Sequence, residues 1–211
     1  MLMGKLVGGA KSRGETLVEV LFAITVLSMV IVVSLVLMNQ GTSTAVRSLQ
    51  ITSVRQEIDS QAEALRFLNS SYISAYQPGF LPNLTDGATS PAEEYYKIIS
   101  AVKARGASSV TAFGGTKTEC QTPPDGSFFI NTKTGAYVAK GANSMLPANT
   151  FSQVIYSSGA PVSEGLWIEA VRSTPGGGSS YTDFHIRACW SAVGAANPMN
   201  LGTIVRLYEP V

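Results

Sequence analysis

The stretch that decides the fold is Val20–Met38, which reads VLFAITVLSMVIVVSLVLM. Its 19 residues contain no charged side chain, and only Thr25, Ser28 and Ser34 interrupt the apolar run. A helix of this length rises ~28 Å at about 1.5 Å per residue, close to the thickness of the hydrocarbon core of a bilayer. Because apolar residues occupy every face, the segment is not one side of an amphipathic helix. The sequence therefore predicts one membrane-spanning helix, with residues 17–38 in contact with lipid.

The residues before this stretch carry positive charge. Lys5, Lys11 and Arg13 fall within the first 14 residues, which contain no acid. The positive-inside rule places that end in the cytoplasm and everything after Met38 outside. A secretory signal peptide is the alternative, but its apolar region is usually about 7–15 residues long. Residues 39–45, which follow the apolar run, offer no convincing small-x-small cleavage site close to its end. We expect a single-pass membrane protein with its N-terminus cytoplasmic and its C-terminal head outside.

After this basic leader the chain is close to neutral. Residues 15–211 contain 12 basic and 14 acidic side chains, with no run of Lys and Arg. Proteins that bind nucleic acid neutralise its phosphates with clustered basic side chains. The sequence therefore gives no specific nucleic-acid signal.

One carboxylate, Glu19, lies in the first turns of the apolar helix. Placing a lone charge in hydrocarbon costs roughly 2.5–3.5 kcal/mol on insertion scales, and such residues usually have a dedicated partner. Two interpretations are open at this point. Glu19 either lies at the interface and reaches toward the headgroups, or pairs with a cation inside the membrane.

The residues around Glu19 resemble a known processing site. Residues 13–23 read RGETLVEVLFA, which is similar to the class III leader junction of type IV prepilins and the related pseudopilins. In that family a membrane-embedded aspartyl peptidase cuts after a Gly, the new N-terminus is N-methylated, and a Glu lies five residues after the cut. The resemblance implies cleavage after Gly14 by a prepilin peptidase, methylation at Glu15 and the family's acid at Glu19. One residue departs from the pattern, because Phe or Met usually follows the cut and here Glu15 does.

The resemblance covers roughly the first 40 residues, and the head has no motif of comparable strength. It implies a type IV pilin-like subunit that assembles with other pilin subunits, through its N-terminal helix, into a surface pilus for adhesion, twitching motility or DNA uptake. The pattern is slightly closer to minor than to major pilins. One alternative is a pseudopilin of a type II secretion or competence system. An alternative of another class is a single-pass anchored binding protein that never polymerises.

Cleavage after Gly14 would give Glu15 a free ammonium at the positive end of the helix macrodipole. An ammonium in lipid needs an anion, and Glu19 of a neighbouring subunit, shifted along the filament axis, can supply one. A buried pair contributes little stability but fixes register, because misplacing either charge is costly. We therefore expect Glu19 to pair with the N-terminus of another subunit.

Beyond Gly41 the helical pattern continues in amphipathic form. Apolar residues recur mostly at spacings of three or four, at Val46, Leu49, Ile51, Val54, Ile58, Ala62, Leu65, Leu68 and Tyr72. Pro78 and Gly79 end this pattern, with residues 75–77 the last of the helix. The sequence predicts one helix of about 60 residues, half in lipid and half packed on the head. Gly41 is a candidate kink, because Gly weakens a helix by about 1 kcal/mol.

The rest of the chain predicts a small head of helix and sheet. A short helix is expected at residues 91–105, with Pro91 in its first turn and Gly106 past its end. Strands are expected where apolar and polar residues alternate between clusters of turn residues, at residues 127–131, 135–139, 151–156, 166–172, 181–190 and 203–208. The expected fold class is α+β, with the long N-terminal helix packed on an antiparallel meander, as in a pilin.

These segments divide the chain into four parts. They are a cleaved leader at 1–14, a transmembrane and assembly helix at 15–40, an amphipathic continuation at 41–77 and a globular head at 78–211.

Cys120 and Cys189 are the only cysteines of the chain. Two cysteines in an exported head predict a disulfide. It would close a loop of about 70 residues, which the chain-entropy model values at roughly 4–5 kcal/mol. The alternative is two buried free thiols, which a reducing setting would allow.

No pattern in the sequence indicates catalysis. His185 is the only histidine, and alternation places it on one strand face with Asp183 and Arg187, as a residue of the sheet surface. The chain has no Gly-x-Ser-x-Gly, no P-loop and no His or Cys cluster with zinc spacing. We expect no enzyme activity, no catalytic residue, no cofactor and no metal. Trp167 and Trp190 are expected in the core rather than on an adhesive surface.

Overall fold

The computed structural model describes residues 15–76, 90–112, 119–176 and 179–210. Its elements in chain order are α1 Glu15–Ala75, α2 Pro91–Arg105, β1 Phe128–Ile130, β2 Tyr137–Ala139, β3 Met145–Leu146, β4 Gln153–Ser157, β5 Ala160–Glu164, β6 Leu166–Ser173, β7 Tyr181–Trp190 and β8 Met199–Tyr208. The chain divides into two compact units, Met1–Ala45 and Val46–Val211. The prediction of an α+β chain with a long apolar N-terminal helix and an antiparallel sheet is confirmed.

Helix α1 contains 61 residues and ends at Ala75, as the sequence predicts. Gly41 lies within it, and the helix is continuous there. Pro78 and Gly79, which were expected to end the helix, lie outside the described residues.

In the second unit, α1 presents one apolar stripe to the core. Val54, Ile58, Ala62, Leu65 and Leu68 are each at most 4% exposed, at the three- and four-residue spacings of one helix face. These five predicted positions are confirmed.

Two predicted positions on this stripe are wrong. Leu49 is 68% exposed and Val46 is 40% exposed. Leu49 precedes Val54 by five residues, which turns its side chain about 140° around the helix from the stripe. The sequence prediction measured each spacing only from the preceding apolar residue, so it did not show that Leu49 lies on another side of the helix.

Helix α2 has the bounds that its sequence predicts. The Ser90 hydroxyl accepts a hydrogen bond from the Glu93 backbone N–H, and the Glu93 carboxylate accepts one from the Ser90 N–H. This capping box satisfies two N–H groups that the first turn leaves unpaired. At the other end Gly106 takes a φ of 60°, a left-handed conformation that costs glycine little, and its N–H donates to Val102.

The strands form two sheets, so the prediction of a single meander is wrong. The larger sheet has the order β2-β1-β6-β7-β8 with every pair antiparallel. The smaller sheet has the order β3-β5-β4, in which β3 and β5 are parallel. Only β6, β7 and β8 follow one another as a meander.

Sequence patterns missed β3 and β5 and began β8 four residues late. Strand β3 has only two residues, too few to show alternation. Strand β5 contains Pro161, which cannot donate to a strand ladder. Pro161 is tolerated because β3 pairs only with Ser163 and Glu164, so at Pro161 the strand has β4 on one side alone.

The two faces of the larger sheet have different environments. Along β7, Phe184, Ile186, Ala188 and Trp190 belong to the core that also contains the α1 stripe. The intervening residues of β7 point to the opposite face, here called the outer face.

Gln61 joins α1 directly to the sheet. Its side chain is fully buried, its Nε2 donates to the Ile130 carbonyl at 2.8 Å, and its Oε1 accepts from the Ile130 N–H at 2.8 Å. The amide thus bonds both backbone groups of Ile130 as a neighbouring strand would. This matters because β1 pairs with β6 only at Phe128.

We predict that Gln61→Ala lowers the free energy of unfolding of the head by about 3 kcal/mol, because two buried backbone groups lose their partners. Urea unfolding of the full chain in detergent, followed by tryptophan emission, measures this. Gln56→Ala is the matched control: Gln56 is exposed on the same helix, and its loss should change stability by no more than about 0.5 kcal/mol. Equal effects of the two variants would contradict the role given to Gln61.

Candidate functional site: the apolar helix and the disulfide of the head

The N-terminal half of α1 exposes its apolar side chains on every face. From Leu17 to Met38 the large apolar side chains are between 46% exposed, at Val26, and 73% exposed, at Met29. The segment is long and apolar enough to cross a membrane. Apolar surface of this extent is unfavourable in water. It therefore requires a covering that the described residues do not provide.

The three hydroxyl groups of this segment are satisfied within the helix itself. Thr25, Ser28 and Ser34 each donate to a carbonyl oxygen three or four residues earlier, at 2.7, 2.7 and 2.8 Å. Such bonds inside the helix leave no hydroxyl that needs a partner from the surroundings. These side chains are therefore compatible with a purely apolar environment.

Glu19 is the exception within this segment. It is the only charged residue between Thr16 and Met38, its side chain is exposed, and its carboxylate has no ion-pair or hydrogen-bond partner among the described residues. Glu15 is the first residue of α1. Gly14, the predicted cleavage position, lies outside the described residues.

Cys120 and Cys189 form a disulfide with a sulfur–sulfur distance of 2.09 Å. The predicted bond is confirmed, and the alternative of two free thiols is wrong for this structure. Cys189 is fully buried in β7, and its N–H donates to the Gly165 carbonyl at 2.8 Å. A Cβ on Gly165 would lie 2.3 Å from the Cys189 carbonyl oxygen, so only glycine fits beside the bond.

A buried ion pair lies on the outer face of the sheet, close to the disulfide in sequence. Arg187 Nη1 lies 2.7 Å from Glu169 Oε1, and the two side chains are 5% and 2% exposed. Trp167 Nε1 also donates to Oε1 at 3.0 Å. The Thr111 N–H donates to Glu169 Oε2 at 3.0 Å, and the Thr111 carbonyl accepts from Arg187 at 2.8 Å. The chain at Thr111 therefore covers this part of the outer face.

The sequence did not predict that ion pair. Alternation placed Arg187 on the outer face, and cross-strand register places it diagonal to Glu169, two residues along β7 from His185, which faces Glu169. The covering segment has no strand or helix pattern of its own, so nothing in the sequence shows that this face is buried. Both tryptophans are buried, as expected, but Trp167 lies on the outer face and Trp190 on the inner one.

His185 lies partly buried on the outer face with Asp183 and Arg187, as alternation predicts. Burial and the nearby Arg187 charge lower the pKa of His185, although Asp183 and Glu169 act in the opposite direction. The Asp183 carboxylate is engaged by Arg206 in two hydrogen bonds of 2.7 and 2.8 Å. The described ranges contain no group of three metal-ligating side chains.

A cleft of about 460 Å³ lies between α1, the start of α2 and the turn after β1. Its buried acid is Glu94, which already accepts from the Tyr137 N–H at 2.8 Å and from Lys97 at 2.7 Å. Both carboxylate oxygens of Glu94 therefore serve the fold.

Comparison with models of protein families, with curated proteins and with solved structures gives no match to this chain. The likeness to prepilins rests on residues 13–23 and stays a prediction.

We predict that replacing Cys120 and Cys189 together by Ser lowers the free energy of unfolding of the head by about 4 kcal/mol, because the unfolded chain gains the freedom of a loop of about 70 residues. Either single Ser variant should lose nearly as much, since each removes the same cross-link. Urea unfolding of the full chain in detergent measures all three. Wild-type protein that is equally stable with and without reductant would contradict this account.

Proposed function

We propose that this chain is a type IV pilin-like subunit, processed by a prepilin peptidase after Gly14 and assembled through its N-terminal helix into a surface pilus. The observation that carries the proposal is the single uncompensated carboxylate, Glu19, near the start of an exposed apolar helix that begins at Glu15. The family in this proposal comes from the resemblance of residues 13–23 to the leader junction of prepilins.

The charge arrangement favours an assembling helix over a plain anchor. An anchor needs only apolar length, and Glu19 would cost a plain anchor roughly 2.5–3.5 kcal/mol. An assembled helix uses the same carboxylate, because the ammonium of a processed neighbour carries the opposite charge at the positive end of its own helix. The rest of the segment adds no competing partner, since its three hydroxyls are bonded within the helix.

The disulfide supports the proposed location of the head. Disulfides persist in oxidising compartments and are rare in the cytosol. A head on the outer side of the membrane, with the basic leader on the cytoplasmic side, agrees with both the disulfide and the charge distribution. In an assembled pilus the head would lie at the cell surface. A pseudopilus would use the same subunit chemistry and differ in the apparatus that accompanies it.

The first experiment is the mass and N-terminal sequence of the chain recovered from membranes or from a sheared surface fraction. We expect a chain that begins at Glu15, with or without one added methyl group, because the peptidase removes residues 1–14. A chain that keeps the leader would contradict the pilin proposal and favour a permanently anchored binding protein.

The second experiment replaces the carboxylate. We expect Glu19→Ala to leave the protein in the membrane but to reduce its recovery in sheared filaments at least tenfold, since a loss of about 1.4 kcal/mol corresponds to a factor of ten. Ser28→Ala is the matched control. It also removes one polar group from the apolar segment, but that hydroxyl is bonded within the helix, so incorporation should stay at the wild-type level. Wild-type incorporation of Glu19→Ala would contradict assembly through this carboxylate. Absence of the unmutated chain from sheared filaments would point to a chain that does not polymerise.

A further inference from the structure

Strand β8 is the free edge of the larger sheet. It pairs with β7 along its whole length, from Met199 to Tyr208, and no other strand of the described ranges pairs with its opposite side. Ten residues of strand extend roughly 33 Å. An edge of this length presents a row of backbone donors and acceptors to the surroundings.

The pairing of β7 with β8 fixes which backbone groups face outward. The Glu209 N–H donates to the Ser180 carbonyl, in register with the Tyr181–Tyr208 pair. In an antiparallel ladder such bonded pairs alternate with non-bonded ones. The even-numbered residues of β8, from 200 to 208, therefore point their N–H and C=O groups away from β7.

One of these outward positions is already occupied. The Tyr208 carbonyl accepts a bond from Asn69 Nδ2 at 3.5 Å. Asn200, Gly202, Ile204 and Arg206 remain, and the described part of the chain offers their outward backbone groups no partner.

The edge lacks the features that usually prevent edge-to-edge pairing. Residues 199–208 contain no proline and no lysine, and their register with β7 shows no bulge. The one charged side chain, Arg206, is paired with Asp183 of the same sheet. Ile204 is 61% exposed on the outer face.

A depression lies beside Ile204 on the outer face. It measures about 250 Å³ and is lined by residues of β7 and β8 that include His185, Gly202 and Ile204. Gly202 forms its floor on the edge strand, and a glycine inside a strand often marks a place where another backbone approaches closely.

We propose that two copies of this chain pair through β8, antiparallel and related by a two-fold axis at Thr203. In this register Gly202 of each copy faces Ile204 of the other, and Asn200 faces Arg206. The outward backbone groups of all four residues are then hydrogen-bonded to the other copy. Tyr208, whose carbonyl already accepts from Asn69, lies outside the paired stretch.

The side chains select a second copy as the occupant, since the backbone groups of the edge would match any antiparallel strand. Residues that face one another across two paired strands point to the same side of the sheet. Ile204 of each copy therefore enters the depression that Gly202 leaves in the other. A two-fold interface of this kind uses one patch twice.

The pairing goes beyond the proposed function and does not depend on it. All its residues lie in the unit Val46–Val211, and it requires neither cleavage after Gly14 nor the carboxylate of Glu19.

The test is disulfide cross-linking of the full chain in detergent micelles, which do not hold the heads in one membrane plane. Residues that face one another in a non-bonded antiparallel pair have Cα atoms about 4.5 Å apart, within the range that a disulfide spans. Thr203→Cys should therefore give a reducible dimer under mild oxidation. Tyr208→Cys is the matched control, because Tyr208 is 55% exposed on the same strand and lies far from the Cys120–Cys189 bond along it. Its two copies would lie roughly 33 Å apart, so it should stay monomeric.

A second pair of variants tests the side-chain match. Ile204→Lys, added to Thr203→Cys, should reduce the yield of dimer at least tenfold because a charge replaces the apolar side chain in the depression. Val193→Lys, added in the same way, should leave the yield unchanged, since Val193 is also 55% exposed but lies off the strand.

A measurement on the wild-type chain removes any dependence on folding of the variants. Raising the protein concentration should slow hydrogen exchange of the Gly202, Ile204 and Arg206 amides about tenfold or more. The Val205 and Leu207 amides, already bonded to β7, serve as internal references.

Three results would overturn the proposal: no dimer from Thr203→Cys, equal dimer from Tyr208→Cys, or exchange that is independent of concentration. The last result would also follow if a different protein supplied the strand that covers β8. Cross-linking that persists in Glu19→Ala, whatever becomes of the filaments, separates this pairing from assembly through the helix.

Discussion

Apolar surface is unfavourable in water, and helix α1 carries two separate stretches of such surface. Along Val54–Leu68 the surface is covered inside the chain, where the stripe packs on the inner face of the larger sheet. Along residues 17–38 no described residue covers it. The head folds around one half of this helix, and the other half is long and apolar enough to cross a membrane.

The parts that the sequence predicted best are those whose signals are local. The bounds of α2 were predicted from Pro91 in its first turn and Gly106 past its end, and those of β7 from alternation of apolar and polar residues. What sequence patterns missed depends on partners distant along the chain. The bonds of Gln61 need Ile130, and β5 is a strand only through its pairing with β3 and β4. The burial of Glu169 and Arg187 depends on the segment at Thr111.

The candidate site divides in the same way. The apolar length and the position of Glu19 are properties of consecutive residues, and they were visible in the sequence. The disulfide was predicted from compartment and cysteine number, and the structure adds why it fits: Gly165 leaves room for the Cys189 backbone. The free edge of β8 could not be foreseen, because alternation gives a strand but not its place in the order of a sheet.

The distances along the chain between bonded partners have a consequence for the making of the protein. Gln50 accepts from Trp190, 140 residues later, and Asn69 donates to Tyr208, 139 residues later. At a synthesis rate of about 5–20 residues per second, roughly 7–28 s separate the emergence of these partners from the ribosome. During that interval the Val54–Leu68 stripe can pack on α2, whose Tyr95 and Ile98 belong to the same core, but not on β7 and β8. Part of its apolar surface therefore stays uncovered until the last two strands have been made.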